Sequence, residues 1–375
     1  MKCDFLIVGA GFYGSVLAER ISSQLKKNVI VIDKRDHIGG NCYSKVDTKT
    51  DIEYHLYGSH IFHTSNSEVW NYINNFTEFN NYNHQVLSNY KNKIYQMPIN
   101  LETINSYYKK NLKPYEVESF LEKKIKKHYI QNPSNLEEHI INQIGKDLYD
   151  AFIKNYTIKQ WGQDPKNLPK SIIKRLPIRN NYNETYFLNA KWQGIPVRGY
   201  TEIFKKLLSN KKIKIILNKD YLKIRDKFQV KYFTIYTGGL DKYFNNVYGE
   251  LGWRTIFLEK ETLNVNDYQG NSVINFPEKK YKFTRIHEPK HFHPERKYKE
   301  NYTIIFKEHS GYDPSDPFYP ISSQKNRLLY LKYLKLVKKE KSLIIGGRLA
   351  DYAYYDMDMT IHASLNKFEK IRNLI

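Results

Sequence analysis

Six residues near the start of the chain, Gly9-Ala10-Gly11-Phe12-Tyr13-Gly14, form a G-x-G-x-x-G string between an apolar run and a segment of helical period. In that setting Gly9 permits a tight turn, Gly11 lets backbone approach a pyrophosphate, and Gly14 lets the helix pack closely on the strand. The helix N-terminus then offers N–H groups and positive dipole to the anion. Asp33, 19 residues past Gly14, ends the next apolar run, where an acid binds a ribose hydroxyl pair. The spacing predicts dinucleotide binding. A second glycine pair, Gly39-Gly40, follows with Asn41, and there is no second G-x-G-x-x-G for a nicotinamide dinucleotide. The pattern favours FAD, lying extended along the unit.

A second group of residues has the chemistry to hold another anion. Arg175, Arg285 and Arg348 stand among aromatics and glycines in a chain whose cations are mostly lysine. A guanidinium's planar fork binds phosphate through two parallel hydrogen bonds, which lysine's point charge cannot do. Tyr156 and Trp161 flank Thr157-Ile158-Lys159-Gln160. They read either as aromatic caps of a helix or as platforms for a flat ring such as uracil or a flavin. His60 and His63 are spaced i, i+3 with no third candidate ligand beside them, so they are assigned to a pocket wall and no metal is expected. Tyr354-Tyr355-Asp356-Met357 opens a helix whose N-terminal amides suit the negative charge of a reduced flavin, with an ordinary Asp cap as the alternative.

The elements that must position these groups follow from apolar periodicity. Phe5-Leu6-Ile7-Val8 and Val29-Ile30-Val31-Ile32 read as buried parallel strands joined by a helix carrying Val16, Leu17, Ile21 and Leu25. Residues 101–160 turn helical and polar, with Val117, Leu121, Ile125 and His128 on one face and Ile140, Ile144, Leu148 and Phe152 on another. Pro165, Pro169 and Pro177 break that pattern, so 161–183 reads as a mobile lid. Short alternating segments between about 253 and 308 predict an antiparallel sheet, followed by a helix at 324–338, a strand at 343–345 and a final helix from 359. The expected fold is α/β, of an α+β multidomain kind. A Rossmann-like FAD-binding domain with a parallel sheet takes 1–80, 196–250 and 340–375; a helical domain takes 100–183; an antiparallel sheet substrate domain takes 84–99, 184–195 and 251–339.

A chain of 375 residues can build two or three packed units without covalent staples. Cys3 and Cys42 suit neither a disulfide framework nor a zinc site, which points to a reducing compartment. Sixty Lys and Arg against 39 Asp and Glu leave a net charge of +21. Such a surplus suggests nucleic acid or an anionic membrane, yet no nucleic-acid reading motif is present and lysine is spread together with Asn, Ile and Tyr. Asp4 interrupts the apolar start, no 18-residue apolar stretch follows, and mean hydropathy is −0.67. These features predict a cytoplasmic protein with no integral membrane segment.

Several strings along nearly the whole chain resemble the bacterial UDP-galactopyranose mutases. They include the glycine turn, Lys34-Arg35-Asp36-His37-Ile38-Gly39-Gly40-Asn41, Tyr57-Gly58-Ser59-His60-Ile61-Phe62-His63-Thr64, Tyr156-Thr157-Ile158-Lys159-Gln160-Trp161-Gly162, Ile173-Lys174-Arg175-Leu176-Pro177, Gln193-Gly194-Ile195-Pro196-Val197, Gly346-Gly347-Arg348-Leu349-Ala350 and Tyr354-Tyr355-Asp356-Met357. The resemblance implies an isomerase that interconverts UDP-galactopyranose and UDP-galactofuranose through a sugar adduct on N5 of reduced FAD, as a homodimer serving lipopolysaccharide or capsule synthesis. It assigns catalysis to Arg175, Arg285, Arg348 and His63. Substrate contacts fall on His84, Phe152, Tyr156, Thr157, Trp161, Arg175, Tyr186, Asn275, Arg285, Tyr319 and Tyr354, with Phe152 and Tyr156 against uracil. Cofactor contacts fall on Gly9, Gly11, Tyr13, Gly14, Asp33, Lys34, Gly40, Asn41, His60, Ile61, Gly238, Arg348, Tyr355, Asp356, Met357 and Thr360. Ser59 stands where these enzymes commonly have Ala, and Asp33 where they commonly have Glu. The alternatives are a flavin amine oxidase-like oxidoreductase and a mutase of a related UDP-sugar such as UDP-N-acetylgalactosamine.

Overall fold

The structure is a computed structural model that describes residues 1–173, 178–321 and 323–375. Its first layer is a five-stranded parallel sheet in the order Leu343–Ile345, Gln229–Tyr236, Lys2–Val8, Val29–Ile32, Ile213–Ile216. Phe5, Leu6 and Ile7 are fully buried and all four residues of Val29–Ile32 are buried, as continuous apolar strands covered on both faces must be. On one face the helices Phe12–Gln24 and Met357–Arg372 pack together, bringing Val16, Leu17 and Ile21 into one core with Ile361, Leu365 and Phe368. The helix Tyr200–Leu207 joins them with Tyr200, Ile203, Phe204 and Leu207, a single buried stripe at i, i+3, i+4 and i+7. The other face is closed by Leu251, Trp253, Tyr333 and Tyr352.

The second sheet has seven strands, in the order Tyr319–Pro320, Trp253–Leu263, Thr303–Gly311, Arg285–His287, Val273–Asn275, Val86–Tyr90, Lys93–Met97. It is mixed, a correction to the antiparallel expectation: Val273–Asn275 and Val86–Tyr90 run parallel, Ile274 beside Leu87. The two strands come from distant stretches of chain, so no hairpin fixes their relative direction. Val86–Met97 enters as a finished hairpin, turned by Lys91 and Asn92 at φ +52° and +59°.

The helical lobe over 101–161 buries Leu101, Ile104, Val117, Leu121, Leu136, Ile140, Ile144 and Leu148 in a core it shares with Val86, Tyr95, Met97 and Val273 of the mixed sheet. His128 departs from the expected face: Pro114–Lys126 ends before it, and it is exposed. The second expected face is interrupted at Gly145, with φ +79° and ψ 160°, and resumes through a π-helical segment, Tyr149–Ile153, into Lys154–Trp161. Among the described residues no helix is long and apolar enough to cross a membrane.

Candidate functional site

The carboxyl ends of four parallel strands meet at one edge. Val8 is level with Ile32 and Tyr236, and Tyr236 with Ile345, so Gly9, Asp33, Thr237 and Gly346 leave the sheet side by side. Beyond them lies a cavity of about 610 Å³, within the usual range of small-molecule pockets. Gly9, Gly11, Tyr13, Gly14, Asp33, Lys34, Gly40, Asn41, His60, Gly238, Arg348, Met357 and Thr360 all line it. Ile61, Tyr355 and Asp356 do not. The Ile61 carbonyl faces His63 Nδ1 at 3.1 Å, the Tyr355 carbonyl accepts Arg348 Nε and a terminal nitrogen at 3.2 and 2.6 Å, and Asp356 is the N-cap of Met357–Arg372.

The turn is shaped for a backbone-bound anion. Gly9 sits at φ +116°, and a Cβ there would lie 2.0 Å from Thr237 Oγ1; a Cβ on Gly14 would lie 2.0 Å from the Gly9 carbonyl. A Cβ on Gly40 would come within 3.0 Å of Gly11 Cα, so bare backbone faces bare backbone across the cavity mouth. Asp33 is locked from both sides, Oδ2 accepting from Ala10 N at 2.8 Å and Oδ1 from Arg35 N at 3.0 Å. Arg35 in turn donates to Asn41 at 2.9 Å and to Asp316 at 2.7 Å, drawing 314–317 over the cavity. These residues fit a dinucleotide whose pyrophosphate crosses the turn and whose ribose meets Asp33.

Arg348 joins this cavity to a second group of side chains. Its guanidinium lies 5.2 Å from the Tyr319 ring and 5.5 Å from the Tyr354 ring, and those rings stack at 5.3 Å. Arg285 is close enough to Tyr156, Glu308 and Tyr319 for its charge to be felt at each, and the Tyr156 hydroxyl is pushed up chiefly by burial, with Arg285 opposing and Glu308, Tyr186 and Tyr354 adding to the rise. His63 stacks on Phe187 at 3.6 Å, and Phe187 lies 5.8 Å from His84, whose ring meets Tyr186 edge-on at 5.2 Å. Asn275, level with Arg285 on the neighbouring strand, has a buried Oδ1 with no hydrogen-bond partner. Thr157 is buried and Trp161 half-buried at the end of Lys154–Trp161. The Phe152 ring, on the π-helical segment Tyr149–Ile153, is buried and lies within 5.0–5.7 Å of Tyr95, Tyr90 and Tyr107. Arg175 lies outside the described residues.

A buried polar chain, not singled out from the sequence, holds the arginine. Glu308 is almost fully buried; its Oε1 accepts Arg285 Nε at 2.9 Å and a terminal nitrogen at 2.8 Å, and its Oε2 faces His287 Nε2 at 2.8 Å. His287 Nδ1 lies 2.6 Å from Ser59 Oγ. Arg285 and His287 hold the Glu308 carboxyl down at about 2, so it is ionised, while burial depresses His287. A neutral His287 must then donate from Nε2 and accept the Ser59 hydroxyl at Nδ1. Two further cations tie the helix Lys154–Trp161 to the sheet. Lys159 Nζ donates to the carbonyls of Phe276, Glu278 and Phe283, and Arg254 donates to those of Gln160 and Lys159 at 3.1 and 3.4 Å. Away from expectation, Asp267, Glu288 and His291 also converge, but Glu288 already accepts Tyr268 N, Gln269 N and Thr303 Oγ1, and no ion is assigned there.

A family model described as UDP-galactopyranose mutase matches residues 151–354, and one for an NAD(P)-binding Rossmann-like domain matches 7–76. A probable UDP-galactopyranose mutase of Klebsiella pneumoniae is 41% identical over 364 residues, covering 96% of this chain and 93% of that protein. The chain belongs to the UDP-galactopyranose mutase family. It is therefore an enzyme of an isomerase family, with the mixed α/β fold expected from the sequence. A dTDP-fucopyranose mutase of Escherichia coli is 38% identical over 366 residues, covering 96% of each chain. The crystal structure of a reduced UDP-galactopyranose mutase superposes with a TM-score of 0.79 at 13% identity, over 100% of this chain and 95% of that one, a likeness of fold. In this family member Arg348 belongs to both the cavity and the arginine–tyrosine cluster. The cavity's outer walls, 219–222 and 314–317, and Phe187 carried no motif signal; only folding brings them to the site.

Proposed function

We propose that this chain interconverts UDP-galactopyranose and UDP-galactofuranose on a non-covalently held, reduced FAD. The observation that carries the reading is Arg348: it lines the dinucleotide cavity and at the same time faces Tyr319 and Tyr354, so a substrate diphosphate there would lie beside the cofactor. The Gly9–Gly14 turn would hold the FAD pyrophosphate, Asp33 its ribose, and the wall from His60 to Gly238, Arg348, Met357 and Thr360 its flavin end. When bound and reduced, the flavin supplies at N5 the nucleophile for the anomeric carbon. The chain's own part is to bind, orient and neutralise. Arg285, fixed by Glu308, and Arg348 meet the charge that grows on the leaving diphosphate, with the hydroxyls of Tyr186, Tyr319 and Tyr354 beside them; the family resemblance adds Arg175 to this role. Tyr156 offers a ring to uracil, Trp161 and the 161–183 lid exclude water, and the unpartnered Asn275 Oδ1 accepts a sugar hydroxyl.

On this reading the parallel-sheet unit binds cofactor, the mixed sheet binds substrate and the helical lobe closes the cleft. The enzyme works as a cytoplasmic homodimer, and the furanose product is consumed by transferases building a cell-surface glycan. The purified protein should be yellow, and dithionite under anaerobic conditions should switch on conversion of UDP-galactofuranose to the pyranose, followed by chromatography of the nucleotide sugars. A protein that stays colourless after reconstitution with FAD would sink the reading. Peroxide release from an amine in aerobic buffer would favour an oxidase, and faster turnover of a dTDP-6-deoxyfuranose would move the substrate towards that of the E. coli relative.

A further inference from the structure

The helix Gln324–Val337 and the turn beside it leave an unusual surface. Leu328 is 56% exposed and Leu331 52%, and next to them Val247 is 62% and Tyr248 44% exposed. The two elements are continuous: Tyr248 N donates to Tyr333 Oη at 3.1 Å, and Lys332 Nζ lies 5.9 Å from the Tyr248 ring. Leu328, Leu331 and Lys335 follow at i, i+3 and i+7 along the solvent side, while Tyr333 on the opposite side is fully buried. Flanking this line are Lys325, Arg327, Lys332, Lys338 and Lys339, all exposed, and 324–339 contains six cations and no carboxylate. None of the six forms a salt bridge among the described residues.

Apolar side chains at the centre of a strip with unpaired lysines along both edges match a helix lying in the surface of a bilayer. The leucines and Tyr248 enter the acyl boundary, and lysine stems run over apolar surface while the ammonium groups stay at headgroup level. A second copy of the chain is disfavoured, since a two-fold contact would set this cationic strip against itself. Nucleic acid would use the cations but leave the apolar centre unexplained. We infer that this face docks the enzyme peripherally on an anionic lipid surface. The inference is independent of which nucleotide sugar the enzyme turns over.

Co-sedimentation of the holoenzyme with vesicles tests it. The protein should pellet at low salt with vesicles of equal parts phosphatidylcholine and phosphatidylglycerol, and stay in solution with phosphatidylcholine alone. Lys332→Gln/Lys335→Gln should weaken binding about twenty-fivefold, about fivefold per charge, and Leu328→Gln/Leu331→Gln about tenfold. Both pairs are exposed, so melting temperature and flavin absorbance should match the unmodified protein. Absence of pelleting with the anionic vesicles overturns the inference. So does binding indifferent to the leucine pair and displaced equally by duplex DNA, which would mark a nucleic-acid surface. A leucine pair that instead changes the sedimentation coefficient of the protein would make the face a contact between copies.

Discussion

Glu308 is the residue on which the phosphate end of the cleft depends. It offers no group to a ligand, since Arg285 and His287 take both its oxygens, but it fixes where the Arg285 fork can point and which nitrogen of His287 carries the proton. Its carboxyl is lowered from 4.5 to about 2, chiefly by Arg285 against the cost of burial. A depressed carboxyl stabilises the fold above its unfolded value and loses that contribution as pH falls through the folded one. Glu308→Gln should therefore cost about 3 kcal/mol at pH 7, and the gap to the unmodified protein should close between pH 4.5 and 2. Urea melts from pH 7 down to the lowest pH at which both proteins still fold check it; a gap that widens as pH falls would contradict it. With Arg285 unanchored, kcat/KM for the nucleotide sugar should drop on the order of a hundredfold. Nothing in the sequence separated Glu308 from other glutamates, because its significance lies in a cross-strand register, Arg285 opposite Glu308, that only the sheet creates.

At the scale of elements, the parallel unit was legible and the seams between units were not. The run Val29–Ile32 and the G-x-G-x-x-G turn are local signals, whose spacing alone dictates strand, turn and helix. The parallel pair Val273–Asn275 with Val86–Tyr90, the π segment at Tyr149, where Phe152 is buried, and the clasp on Lys154–Trp161 depend on partners far away in the chain. Arg254 illustrates the last case. It sits on Trp253–Leu263 yet caps the C-terminal carbonyls of a helix more than 90 residues earlier, and a Cβ on Gly162, at φ +65°, would lie 2.8 Å from its guanidinium. Helix ends leave carbonyls in want of donors, so Arg254→Met should release the last turn, at about 1–2 kcal/mol. Amide exchange in 158–161 should quicken roughly tenfold while the parallel sheet is unaffected. Exchange in 158–161 unchanged from the unmodified protein would show that Arg254 packs there without holding the helix.

Across the whole molecule, a set of buried histidines carries an acid-sensitive weakness. His55, His84, His287 and His293 are buried and His60 lines the cavity, all depressed chiefly by burial; His60 stands at about 4 and His84 at about 3. A histidine whose folded value lies below its unfolded 6.5 binds its proton more readily in the unfolded chain, so stability is complete above 6.5 and falls as pH drops towards the folded value. For His84 alone the span from 6.5 to about 3 is worth on the order of 5 kcal/mol, comparable with the roughly 5–15 kcal/mol that holds a typical protein folded. Loss should thus begin near pH 6.5, well before Glu308 titrates. The net charge of +21 adds surface repulsion that also grows on acidification, but that part is screened by salt whereas buried imidazoles are not. Urea melts at pH 7, 5.5 and 4.5 in low and high salt separate the two: the descent should persist at high salt and flatten in His84→Gln. A descent abolished by salt would place the weakness on the lysine surface and leave the buried histidines without effect.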